Sequence, residues 1–242
     1  MLSQSGVRDF LMNYIVRPER HPILYIPTPK CACTTMLHVL YYLDNNEWYD
    51  RKKTGLEIHK YYRLKDHSRR TFIDTDKDRF KFIVVREPVQ RFVSAYANKV
   101  AHGKKLHKGL IARNHLEQHG LSLSPDINIF IANLKIYRAA WRSVKHHTDP
   151  QIDFIGKDLN RYDLVCKLED LEILHHKLIG LTQIEFSLPH EQRSSSRLFF
   201  DQLTPESIQK LESFYAQDYD LLSAYYPQSA VGRKYHLHST SL

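Results

Sequence analysis

Apolar residues in this chain concentrate in three short runs, each followed by a helically spaced set. Residues 23–27 (Ile-Leu-Tyr-Ile-Pro), 80–85 (Phe-Lys-Phe-Ile-Val-Val) and 162–168 (Tyr-Asp-Leu-Val-Cys-Lys-Leu) are compact enough to be buried strands. Behind the first, Met36, Leu37, Leu40, Tyr41 and Leu43 recur at helical spacing, with Thr34 and Thr35 placed to cap and an end near Asp44-Asn45-Asn46. Behind the second, Val89, Phe92, Val93, Tyr96, Ala97 and Val100 fall at i, i+3, i+4, i+7, i+8 and i+11, and Pro88 suits the first turn. Behind the third, Leu171, Leu174, Leu178 and Ile179 continue from Glu169 to Gly180.

The remaining chain gives weaker signals. Val7, Phe10, Leu11, Tyr14 and Ile15 form an amphipathic segment that stops at Pro18. Residues 47–78 predict irregular structure with short helices holding His59 and His67, and 101–126, basic and punctuated by Gly103, Gly109 and Gly120, reads as a mobile loop or lid. A helix is expected over 127–142, a loop over 146–151, and a last helix from Thr204-Pro205-Glu206 with Ile208, Leu211, Phe214 and Tyr215 inward. Strand–helix alternation predicts an α/β fold with a mostly parallel sheet. The chain reads as one domain over 1–242, with its core at about 22–226 and a frayed tail from 227.

Composition narrows the partners. At 242 residues, 42% hydrophobic and 26% charged, the chain can bury a full core. Net charge +8 favours an anionic partner, and fifteen histidines add to it in mildly acidic surroundings. Cys31, Cys33 and Cys166 are too few for a disulfide framework, and Cys31 and Cys33 are one residue too close for a C-x-x-C pair. They read as small loop residues, in keeping with a reducing compartment. No signal-peptide core and no run of ~20 apolar residues is present, so the expected address is cytoplasmic, with peripheral membrane contact the remaining option.

Chemistry concentrates at strand ends. Pro27 to Met36 reads as a tight basic loop followed by hydroxyl residues opening a helix, which gathers Lys30 and backbone N–H groups into a phosphate or sulfate site. It contains no glycine, so it is not the G-x-x-x-x-G-K-[ST] loop of the ATPases. The alternative is a plain turn with a solvated lysine. Arg86 closes the second run, and ligands of parallel sheets bind beyond the carboxyl ends of strands. The plainer reading of Arg86 is an ion pair with Glu87 or Asp76.

Two stretches together carry a resemblance. Thr28-Pro29-Lys30-Cys31-Ala32-Cys33-Thr34-Thr35 resembles the 5′-phosphosulfate-binding loop of sulfotransferases, and residues 85–96 resemble their 3′-phosphate segment, R-x-P-x-x-R-x-x-S-x-Y. The likeness is greatest to the Golgi-type carbohydrate sulfotransferases, which include chondroitin and heparan enzymes. His147-x-x-Pro150-Gln151 looks like that group's H-W-x-P-Q, with Thr148 in place of tryptophan, and 162–171 and 214–220 resemble its third strand with the acidic turn and its C-terminal helix. Lacking a signal anchor, the chain resembles a stand-alone, prokaryotic-type member of the group.

The resemblance implies a P-loop-type fold and 3′-phosphoadenosine-5′-phosphosulfate (PAPS) as donor, leaving 3′-phosphoadenosine 5′-phosphate. It implies a hydroxyl acceptor, a saccharide or glycoconjugate, and no metal. Lys30 would neutralise the leaving phosphate. Pro29, Cys31, Ala32, Cys33, Thr34 and Thr35 would hold the 5′-phosphate, and Arg86 with Ser94, on the exposed side of its helix, the 3′-phosphate. Arg91 is either a further phosphate contact or a solvated helix arginine. Arg193 and Ser194 either close over the donor or lie in a solvated loop. His59 is the first candidate for general base, His147 the second and His67 the third. Lys99, Lys104, Lys105, Lys108 and Arg113 would suit an anionic saccharide, although charge runs are commonly just solvated. The rivals are a P-loop small-molecule kinase, for which the G-K-[ST] loop and an acidic Mg²⁺ ligand are missing, and a nucleic-acid-binding protein, for which no recognition motif is present.

Overall fold

The computed structural model describes residues 14–65, 76–102, 109–189 and 196–227. His67, Arg193, Ser194, Lys104, Lys105, Lys108, residues 1–13 of the first amphipathic segment and the tail from 228 lie outside the described residues. The chain divides into two compact units, residues 1–86 with 154–192 and residues 87–153 with 193–242.

The first unit carries the sheet. Strands β1 (Ile23–Ile26), β2 (Phe80–Val85) and β3 (Leu164–Lys167) pair in that order, all parallel, with Ile26 opposite Ile83 and Val85 opposite Lys167. All four residues of β1 and the last four of β2 are buried, the pattern of strands covered on both faces. Val16 adds an antiparallel bridge to Tyr25. Helix α1 (Cys33–Asn45) covers the sheet with Met36, Leu37, Leu40 and Leu43, and the short helix α2 (Ile58–Lys65) contributes Ile58 and Tyr62 to the same core.

Several boundaries differ from the expectations above. Helix α1 starts one residue before Thr34, behind Ala32 in left-handed conformation, so neither threonine caps it. The helix after β3 runs Leu171–Thr182 and takes Gly180 in its stride, ending at left-handed Gln183. Cys33 opens α1 and Cys166 lies within β3, leaving Cys31 as the loop cysteine.

The second unit is helical among its described residues. Helix α3 (Pro88–Tyr96) begins with Pro88 in its first turn and the Glu87 carboxylate accepting from the N–H groups of Val89 (3.1 Å) and Gln90 (2.6 Å). It does not continue as α-helix to Val100. Residues Ala97–Ala101 widen into a π-helical turn, closed by the His102 N–H on the Ala97 carbonyl at 2.9 Å. Within 101–126 the chain forms helix α4 (Leu110–Gln118) rather than a loop throughout. The helix expected over 127–142 is three pieces, α5 (Ile127–Ala132), α6 (Leu134–Ala140) and α7 (Arg142–Thr148). Asn133 and Trp141, neither in helical conformation, separate them. Helix α7 takes in His146–Thr148, which the turn residues had placed in a loop. Thr204 caps α8 (Pro205–Phe214) as its sequence predicts.

Candidate functional site

In the first unit the Lys30 loop leaves β1 at Ile26 and Arg86 leaves β2 at Val85, the carboxyl ends of neighbouring parallel strands. The two segments meet: Arg86 Nη1 donates to the Lys30 carbonyl at 3.4 Å. Asp76, the rival partner for Arg86, is engaged by Arg17 at 3.0 Å and Arg79 at 3.3 Å, and the Glu87 carboxylate caps α3.

The loop does without glycine at a conformational cost. Lys30 (φ +70°) and Ala32 (φ +50°) are both left-handed, a conformation worth about 1–2 kcal/mol against an L-residue. Such backbone strain clusters at ligand clamps, and alternation of handedness turns successive N–H groups toward one point. The Cys31 N–H turns back on the Thr28 carbonyl at 3.2 Å, and Cys31 Sγ lies 3.8 Å from the Pro29 carbonyl. No side chain caps α1, whose Thr35 is buried and whose Cys33 and Thr34 are half-buried. Thr28 Oγ1 is fully buried and makes no hydrogen bond among the described residues, an orphan worth about 1–3 kcal/mol. A strained, positively charged loop with a buried hydroxyl lacking a partner fits an anionic ligand.

His59, on α2, reaches this loop. Its Nε2 is 3.0 Å from Thr34 Oγ1, and its Nδ1 is 2.8 Å from the hydroxyl of Tyr14. Tyr14 is buried with its ring edge-on to the imidazole and the Arg63 guanidinium 5.7 Å over its face. Burial, and secondarily Cys33, raises the Tyr14 phenol well above its usual pKa, against a smaller lowering by Arg63. It stays neutral.

In the second unit, Ser94 is buried at 3% exposure rather than lying on an exposed side, because eight of the nine residues of α3 are buried. Arg91 is 0% exposed. It is neither solvated nor turned outward to a phosphate: it donates to the carbonyls of His147 (3.5 Å) and Asp149, with Tyr215 packed 5.6 Å from its guanidinium. The His147–Gln151 stretch is anchored further. Tyr215 donates to the Thr148 carbonyl at 2.7 Å, Arg138 binds the Asp149 carboxylate at 2.6 Å, and Asp218 accepts from the N–H groups of Gln151 (2.8 Å) and Ile152 (2.9 Å). Burial raises the Asp218 carboxyl, opposed by Arg91 and these two N–H groups. Thr148 is interior, its hydroxyl donating to Val144 and accepting from Arg138, so this position makes structure. His147 Nδ1 is 2.7 Å from the Ser143 carbonyl.

Four residues escaped sequence reasoning. Tyr14 read as one more apolar position of an amphipathic segment, and nothing local announces its long-range partner. Thr28 opens the loop motif, but nothing in the sequence assigned its hydroxyl a role. Asp218 and Glu87 sit inside recognisable motifs, yet their anchoring roles depend on contacts far apart in sequence. Among the described residues no group of three or more His, Cys, Asp or Glu is placed to hold a metal ion, and no helix is long and apolar enough to cross a membrane.

Residues 13–226 match the model of the sulfotransferase family. Carbohydrate sulfotransferase 10 of Homo sapiens is 31% identical over 114 residues, covering 43% of this chain and 31% of that protein. The Xenopus laevis protein of the same name is 29% identical over the same length. Carbohydrate sulfotransferase 11 of Rattus norvegicus is 25% identical over 225 residues, 84% of this chain and 62% of that protein. The chain thus spans about a third of the length of the first of these relatives. No solved structure shows significant similarity to it.

Proposed function

We propose that this chain, which belongs to the sulfotransferase family, transfers the sulfuryl group of PAPS to a hydroxyl of a carbohydrate or glycoconjugate. The observation that carries this reading is the hydrogen bond from Arg86 to the Lys30 carbonyl, which joins the cation of the second motif to the loop of the first inside one unit. The names of the relatives support a carbohydrate acceptor. In the reaction a bond forms between the acceptor oxygen and sulfur as the bond from sulfur to the bridging phosphate oxygen breaks, and the acceptor's proton passes to a base.

The chain's residues then take these roles. Lys30 neutralises the charge that builds on the phosphate side, where preorganised cations contribute most. The N–H groups of 32–35 and the hydroxyls of Thr34 and Thr35 hold the 5′-phosphate, next to Pro29, while the Cys31 N–H is spent on the Thr28 carbonyl. Arg86 binds the 3′-phosphate, and the resemblance assigns Ser94, Arg193 and Ser194 to the donor as well. His147 is the base. A carbonyl only accepts, so the bond to Ser143 keeps the His147 proton on Nδ1 and the lone pair on Nε2. The buried Arg91 fixes its main chain.

Incubation with ³⁵S-labelled PAPS and a panel of saccharides, glycolipids and small alcohols tests the reading. Label is expected on a saccharide hydroxyl. Label on none of the panel, with intact donor recovered, would contradict it.

A further inference from the structure

The hydrogen bonds of His59 run between two hydroxyls, Tyr14 on Nδ1 and Thr34 on Nε2, and either hydroxyl can donate or accept. The direction of the chain decides which nitrogen carries the proton. One direction has Thr34 donating to Nε2 and Nδ1–H donating to Tyr14. The Tyr14 proton, at a buried hydroxyl, then has no acceptor among the described residues. In the other direction Tyr14 donates to Nδ1 and Nε2–H donates to Thr34 Oγ1. The displaced Thr34 proton is left at the second residue of α1, beside left-handed Ala32 in the basic loop. An anion seated in that loop is the acceptor the proton lacks. With it, every group in the line is satisfied.

We infer that Tyr14, acting through His59, aims the Thr34 hydroxyl proton at the anionic 5′ end of the donor. The inference rests on the donor reading proposed above. Tyr14 and His59 are positioning residues in this scheme, and Thr34 is the group that touches the ligand. Burial supports the direction by keeping the Tyr14 phenol protonated, with Cys33 acting the same way and Arg63 against it. A consequence follows for the chemistry: with its proton on Nε2 facing the loop, His59 has no lone pair there to take a proton from an acceptor, which leaves the base role to His147.

The test is calorimetric titration of 3′-phosphoadenosine 5′-phosphate into the wild type, Tyr14→Phe, Thr34→Val and the double variant. Tyr14→Phe keeps the ring, and should weaken binding about fivefold in the wild-type background, the scale of one hydrogen bond. It should change nothing in the Thr34→Val background, because the relay it feeds is already cut. A purely structural Tyr14 would weaken both backgrounds alike, and that result, or no effect in either, overturns the inference. Long-range ¹H–¹⁵N spectra of the wild type, with His59 identified from His59→Gln, should show the proton on Nε2 when ligand is bound, and a proton on Nδ1 would overturn it. If the wild type takes up no ligand while free His59 still shows Nε2–H, the donor reading has failed and the Tyr14–His59 bond stands.

Discussion

Arg91, fully buried, donates from its guanidinium to the main-chain carbonyl of Asp149, and the same side chain also reaches the His147 carbonyl. An arginine that reads in sequence as a phosphate contact or a solvated helix residue is a brace for the histidine loop. Arg91→Ala would leave two carbonyls without donors and a cavity beside Tyr215, and should cost about 3–5 kcal/mol. For a chain of this size that is a fall in Tm of roughly 10 °C. Arg91→Lys should recover little, since an ammonium cannot span both carbonyls as the guanidinium fork does. Thermal denaturation of the two variants checks this.

Lys30→Ala should lower kcat by about 10²–10³-fold, in line with the loss of one charge-stabilising group, and change donor affinity far less. Single-turnover rates at saturating donor separate the two. Unchanged turnover would remove Lys30 from the chemistry.

The histidines divide the roles between them. His147→Ala should abolish transfer and leave the affinity for 3′-phosphoadenosine 5′-phosphate unaltered, whereas His59→Ala should weaken that affinity by cutting the line from Tyr14 to Thr34. Calorimetry paired with the transfer assay distinguishes them. The opposite pattern would return the base role to His59.

Cys166 should be inert toward alkylating agents in the native protein at pH 8. Burial, reinforced by Asp170, lifts its thiol to about 11, and its single S–H lies within reach of the carbonyls of Lys167 (3.3 Å) and Asp170 (3.4 Å). Because the folded value lies above the ordinary thiol value of about 8.5–9, the folded state holds this proton longer than the unfolded chain. The associated stability is complete below about pH 9 and is lost as pH climbs toward about 11. Peptide mapping after brief iodoacetamide treatment should find half-buried Cys33 modified before Cys166, and equal rates would contradict the burial argument.

Much of the fold was legible because it rests on local pattern. The three apolar runs became the three parallel strands, and Pro88 and Thr204 opened the helices they were expected to open. The loop and Arg86 were legible as strand-end cations. What was not legible depends on tertiary contact. Asn133 and Trp141 break a helically spaced run where packing, not propensity, decides the direction of the chain. Ser94 and Arg91 looked exposed because one helix was given one wet face, and the structure covers nearly all of α3. Tyr14 acquires its role 45 residues away, at His59, a distance no periodicity can bridge.

In the proposed reaction the Lys30–Arg86 loop region serves PAPS rather than a nucleoside triphosphate. Titration of 3′-phosphoadenosine 5′-phosphate into the wild-type protein in EDTA tests it most directly. The account predicts a dissociation constant in the range of about 1–10 μM, about −7 to −8 kcal/mol. Silence with that ligand alongside tight binding of ATP with Mg²⁺ would contradict it.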